Sequence, residues 1–296
     1  MSTPEAAARI IGSQPLKDRV QEHAFRLALL FSLAIGIVSL LTLLIQVGVK
    51  GAPRFGTDIV NSFPSGNPDT AGAQSAILGT IWVISIVALV TIPIGIGAAI
   101  YLEEYANRDR WWNRLIELNI QNLAAVPSIV YGILGLAFLV RGFANLGQTV
   151  LAGALTLSLL VMPVVIISAR EAIRAVPDSI REGSLALGAT QWQTIRRQIL
   201  PGAIPGMATG SILALSRAIG EAAPLVLLGA LTFITFNPES VNSAFTVLPI
   251  QIFNWISRPQ EEFKILAAAA ILVLLIILLA MNAGAIYLRN RYQRKW

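Results

Sequence analysis

The chain has 296 residues, 55% of them hydrophobic and only 13% charged, with a formal net charge of +6. A soluble domain carries roughly twice that charged fraction, so a soluble globular class is excluded. The absence of cysteine rules out disulfides and thiolate chemistry, and the single histidine, His23, argues against a histidine-based metal site or triad within one chain.

The apolar residues come in runs, and six runs reach the roughly 20 residues that cross about 30 Å of hydrocarbon. Residues 1–23 form a polar arm, read as cytosolic, with His23 at headgroup level. Ala24–Val49 is the first run; it is too long for a signal-peptide core and is read as a retained span. Gly51–Ser75, rich in Gly, Pro, Ser and Asn, is an expected external loop. Ala76–Leu102 is the second run, and its Gly95-Ile96-Gly97 lacks the third glycine, the strand and the acidic residue of a dinucleotide site. Glu103–Arg114 is a charged turn with Trp111 and Trp112 at the depth of lipid headgroups. Leu115–Val140, the third run, carries Asn119, Gln121, Asn122 and Ser128, polar residues that ordinarily bond neighbouring helices. Pro127 is expected to kink this run and Pro163 the fourth, Thr149–Ala169.

The fifth run, Gly206–Leu231, follows Gly202, and glycines recur at 206 and 210, a spacing that favours close helix approach. Asn237–Glu262 is a second external loop whose Phe253–Ile256 section reads as a short amphipathic piece. Ile265–Leu288 is the sixth run, and 289–296 is a basic tail. The expected fold class is therefore an all-α integral membrane protein with six transmembrane helices, one membrane domain covering 24–288. Sixteen of the 22 basic residues fall on the side of the termini and five on the other, with Arg217 inside a run. That asymmetry places both termini in the cytosol and explains the positive charge without nucleic acid.

Two features carry functional signal. The polar segment Arg170–Pro205 holds two helix-start patterns, Ser179 with Glu182 and Thr190 with Gln193, each a candidate capping box. With Gly188 between them, the segment reads as two short helices and a turn, a docking module for a soluble partner. The second feature is Arg217 and Glu221, four residues apart and so on one helix face. Each charge at the bilayer centre costs about 2.5–3.5 kcal/mol on insertion scales, which leaves two readings open. The pair either neutralises itself and holds helices together, or it lies on a solute pathway together with Ser216 and Ser128. The planar fork of arginine suits a tetrahedral oxyanion. No GxxxxGK[ST] loop is present, so any ATP is handled by a partner.

The docking segment resembles the cytosolic signature of ABC importer permeases: Glu-Ala-Ala, three residues, Gly, nine residues, Ile, any residue, Leu-Pro. Glu182, Gly188, Leu200 and Pro201 stand in register; Gly183 and Ser184 replace the alanines, and Gln198 takes the isoleucine position with Ile199 beside it. A narrower resemblance, carried by 125–132, 216–225 and 249–255, is to phosphate-importer permeases of the PstA type. It implies the type I ABC importer permease fold and coupling helices in the loop 170–205. It also implies a non-enzymatic transport subunit without cofactors, in the plasma (inner) membrane. The implied partners are a second permease subunit (PstC type), two ATP-binding subunits (PstB type) and an extracytoplasmic phosphate-binding protein (PstS type), with phosphate as cargo and membrane lipid around it. The resemblance links Arg217 and Glu221 to the phosphate pathway, and Glu182, Gly183, Ser184, Gly188, Leu200 and Pro201 to ATPase coupling. The alternatives are another oxyanion (sulfate, molybdate or phosphonate) or a membrane scaffold that recruits an ATPase.

Overall fold

The structure, a computed structural model, describes residues 16–107, 109–230 and 233–292. Two units are distinguished, one ending at Lys50 and one beginning at Gly51. The first holds all but the last residue of α1 (Leu16–Gly51), continuous through Ala24–Val49, so the arm is helical from Leu16; positions 1–15 of the arm lie outside the described residues. Its apolar side chains are exposed along nearly the whole helix. Such a surface is stable only in hydrocarbon or against another protein.

In the second unit α2 (Gln74–Ile100) continues through a π-helical turn, Tyr101–Tyr105. It is followed by α3 (Trp111–Ala124), then α4 (Ser128–Leu134), which a π-helical stretch extends to Val140. Next come α5 (Val150–Arg174), α6 (Asp178–Ala186) and α7 (Gln191–Thr194). A π-helical turn, Ile195–Ile199, joins α7 to α8 (Leu200–Gly220). The chain ends with α9 (Ala223–Leu228), α10 (Leu248–Ile256) and α11 (Glu261–Tyr292). Among the described residues, five helical stretches are long and apolar enough to cross a membrane: α1, α2 with its π turn, α5, α7–α8 and α11. A sixth crossing exists if α3 and α4, bent by 105°, count as one span.

One expected span is bent where expected and another differs from the sequence reading. The run Leu115–Val140 bends by 105° at Pro127, which disfavours a helical Val126 and offers no N–H. The run Gly206–Leu231 is not one helix either. The helix begins at Gln191 and stops at Gly220, since the ring of Pro224 would meet the Gly220 carbonyl in a continued helix. A left-handed Gly229 (φ 91°) then closes α9. By contrast α5 runs unbroken past Pro163.

The most buried span is α5. It lies parallel to α2, with Val165 against Gly95, and antiparallel to α8, where Gly206 meets Ala172 and Gly210 meets Ser168. A Cβ at Gly206 would sit 2.7 Å from the Ala172 Cβ, so the glycine spacing does what the sequence indicated: it lets two backbones approach. α11 runs back along α8, joined to it by Ser216 with Asn282 and by Arg289 with Thr209. The core has a central cluster around Val87, Leu157, Val161 and Leu225, and a second at the α10 end around Trp255 and Phe263. α10 is amphipathic: Ile250 and Trp255 are buried, while Phe253 and Ile256 are exposed. A third cluster, with Ile173, Ile195, Ile199 and Met207, roots the α6–α7 region.

Candidate functional site

The segment Arg170–Pro205 is less of a loop than its polarity suggests. Arg170–Arg174 is the last turn of α5, and from Gln191 the chain is helical into α8. The two helices and intervening turn are present, but the second helix is the start of a long rod. Gly188 turns the chain with φ +81°, a left-handed conformation that L side chains adopt at a cost. The capping box of Thr190 with Gln193 is formed in both directions. The box expected at Ser179 is not: Pro177 occupies the N-cap position, and Ser179 falls inside the first turn. Across the turn, Ser184 Oγ and Thr194 Oγ1 are hydrogen-bonded at 2.8 Å.

Glu182 and Gly183 lie on the exposed face of α6, whereas Leu200 and Pro201 are half-buried at the start of α8. Ile199 is buried in the core cluster, and Gln198 lines a cleft of about 350 Å³ between the two helices, with Gly183, Ser184 and Leu187. The tip is apolar: Leu187 is 91% exposed, and Leu185 and Trp192 are also exposed. The sequence reading did not single these out, although an apolar residue on either side of a tight turn is a visible signal.

Behind the module lies a group of ion pairs that the sequence did not reveal. Arg170, with only 8% of its side chain exposed, donates from Nε to Glu103 Oε1 (2.8 Å) and from Nη2 to Glu117 Oε1 (2.8 Å). Glu103, 2% exposed, also accepts from Arg174 Nη2 at 2.9 Å. Arg181 of α6 donates to Glu104 Oε1 and to the Ile173 and Val176 carbonyls, which satisfies the open end of α5. Gln191 at the start of α7 donates to the Glu104 backbone carbonyl.

At the other end of α8, Arg217 Nε donates to Glu221 Oε1 at 3.2 Å. Arg217 stays in the helix, and Glu221 sits just beyond it in extended backbone (ψ 107°), so the pair bridges the break between α8 and α9. The arginine side chain is 50% exposed and the glutamate 18%. Among the described residues neither Nη of Arg217 has a hydrogen-bond partner, so the outer edge of the guanidinium is open to an anion. Ala218 and Ile219 beneath are buried.

The remaining candidates divide. Ser216 Oγ lies 2.8 Å from the Ile212 carbonyl and 2.7 Å from Asn282 Oδ1, so it faces α11 and ties helices together. Ser128 begins α4 and is joined to Arg217 by no hydrogen bond among the described residues; its helix packs on α9, with Gly132 against Pro224 and Tyr131 in one cluster with Leu225. Asn119 bonds back to Leu115 of its own helix rather than to a neighbour, and Gln121 and Asn122 are exposed. A cavity of about 550 Å³ between α2, α8 and α11 is nearly all apolar, with Arg289 at one end, and does not include Arg217. No group of three or more His, Cys, Asp or Glu among the described residues is placed to hold a metal.

Comparisons with known proteins agree with this architecture. Residues 91–293 match the family described as binding-protein-dependent transport system inner membrane component. The chain is 30% identical over 255 residues to the probable ABC transporter permease protein YqgI of Bacillus subtilis, covering 86% of this chain and 83% of that one. It is 33% identical over 272 residues to the phosphate transport system permease protein PstA of Mycobacterium leprae, covering 90% and 86%. Among solved structures, a bacterial alginate ABC transporter chain superposes with a TM-score of 0.69 at 18% identity, over 96% of this chain and 99% of that one, a likeness of fold. A polytopic helical protein with this fold, matched by that family over most of its length, belongs to the binding-protein-dependent inner membrane components, the permeases of ABC importers.

Proposed function

We propose that this chain is a transmembrane subunit of an ATP-driven importer of inorganic phosphate, forming the translocation pathway with a second permease of the PstC type. In this reading residues 24–288 are the transmembrane domain, and both termini face the cytosol, in accord with the distribution of basic residues. The exposed apolar tip at Leu187 and the cleft beside it dock on PstB-type ATP-binding subunits. A PstS-type protein delivers phosphate from the opposite side.

The observation that carries the cargo assignment is the open edge of Arg217 beside Glu221. A guanidinium with two unbonded Nη groups matches the oxygens of a tetrahedral anion. Glu221 holds Nε, orients the fork and offsets part of the positive charge, so that bound phosphate is released rather than trapped. Relatives bearing the name of phosphate permeases support the same assignment.

The test is uptake of labelled phosphate by proteoliposomes containing the four co-expressed components. Arg217→Ala is expected to lower uptake about tenfold or more, the scale of a lost hydrogen bond to a charged group, with the complex still assembling. Undiminished uptake would refute the role of Arg217. Sulfate, molybdate or a phosphonate competing better than phosphate would reassign the cargo.

A further inference from the structure

We infer that Arg170, Glu103 and Glu117 form an ionic joint that makes the α3–α4 elbow move with the docking module, carrying its displacement to the α4–α9 contact beside Glu221. The inference rests on the reading of α6–α7 as the place where an ATPase docks.

Each step is a direct contact. Arg181 fastens α6 to Glu104. The adjacent Glu103 meets Arg170 of α5, and the same guanidinium reaches Glu117 of α3 with its other edge. One buried arginine therefore bridges carboxylates from two other elements, a geometry that a packing residue does not require. Both Arg170 and Glu103 are withdrawn from water, so separating them is costly; Glu117, 39% exposed, and the apolar contact of Ile120 with Ile166 bring α3 along with them. α3 also packs on α5 through Ile120, which shares an apolar cluster with Ile166 and Met162, and Asn113 donates to the Asn107 carbonyl. The Glu117 pair adds to this apolar contact a directional tie between α3 and α5.

Beyond α3 the elbow is braced. Tyr131 of α4 donates its hydroxyl proton across the bend to the Leu123 carbonyl at 2.8 Å, which fixes the angle between the two helices. On α4, Gly132 leaves no room beside Pro224: a Cβ there would come within 2.7 Å of the Pro224 Cα. Pro224 is three residues beyond Glu221. A shift of α6 is thereby delivered to the site from the α4 side, independently of α8. Glu117 and Tyr131 are positioning residues in this scheme.

The experiment uses the complete complex in proteoliposomes, with ATP hydrolysis and phosphate uptake read from the same vesicles. Glu117→Gln and Tyr131→Phe are each expected to leave assembly and ATP hydrolysis intact while phosphate moved per ATP falls about fivefold, the lower end of coupling between sites. Glu117→Asp should recover most of it. An unchanged ratio in both variants overturns the joint, as does loss of assembly in both, which would make the contacts a matter of folding alone. A second measurement is independent of cargo: spin labels on Ser179→Cys and Leu118→Cys, in a chain with no other cysteine. Their separation should stay constant on trapping with ATP and vanadate, and change once Glu117→Gln is added. A separation that shifts equally without that substitution overturns the joint. Vesicles of the unaltered complex that take up no phosphate would instead sink the cargo assignment.

Discussion

Arg170 and Arg217 are the same side chain in opposite circumstances. Arg170 is buried, with its charge shared between two carboxylates; Arg217 is half-exposed with one carboxylate and an unused edge. Removing Arg170 takes from the 2% exposed Glu103 its buried partner, whereas Arg174 is a partner that is itself 46% exposed. Arg170→Ala is therefore expected to cost about 3 kcal/mol, the lower range for breaking a buried pair. Arg174→Ala should cost about 1 kcal/mol or less, as exposed pairs do. Thermal unfolding of the two variants in detergent checks the contrast. Little of this was legible in the sequence. The Arg217–Glu221 pair announces itself because its members are one helical turn apart. Arg170 lies 67 and 53 residues from its partners, so no local pattern connects them.

At the level of elements, composition was a good guide to where helices lie and a poor one to where they stop. Hydropathy counts Ala222–Leu231 as a continuation of the fifth run, but the ring of Pro224 cannot follow an unbroken helix, and the break puts Glu221 beside α9. The capping pattern at Thr190 was correct because nothing competed with it. At Ser179 the same pattern lost to Pro177, whose fixed φ suits the position before the first helical turn. Gly188 was read correctly as the turn, for the reason that its φ requires. Because the space around it is open, Gly188→Val meets no clash and only backbone strain, about 1–2 kcal/mol. The expected outcome is an altered turn with little change in overall stability: co-purification of the ATP-binding subunit should fall while the melting temperature of the isolated permease hardly moves.

For the whole molecule, the proposed orientation rests on charge asymmetry alone, and the lack of cysteine makes it easy to test. A single reporter, Leu187→Cys, sits on the most exposed apolar residue of the module tip. In intact cells a membrane-impermeant maleimide should leave it unlabelled, and in inverted vesicles from cells that make the permeases without the ATP-binding subunit it should label fully. The reverse pattern would turn the protein over and place the α6–α7 tip outside the cell.

One rod, Gln191–Gly220, carries the module at its lower end and Arg217 near its upper end. At 1.5 Å per residue it is roughly 45 Å long. It crosses α5 closely at Gly206 and Gly210, roughly 20 Å from α7 and roughly 14 Å from Arg217. Below this crossing Ile195 and Ile199 are buried in the same cluster as Ile173 of α5, so the lower part of the rod is held to α5 as well. In the proposed importer a displacement at α7 would reach Arg217 along one continuous helical stretch that is already coupled to α5. The glycine pair would then decide how tightly the two helices travel together, and a larger residue at either position would part them without altering a single charge.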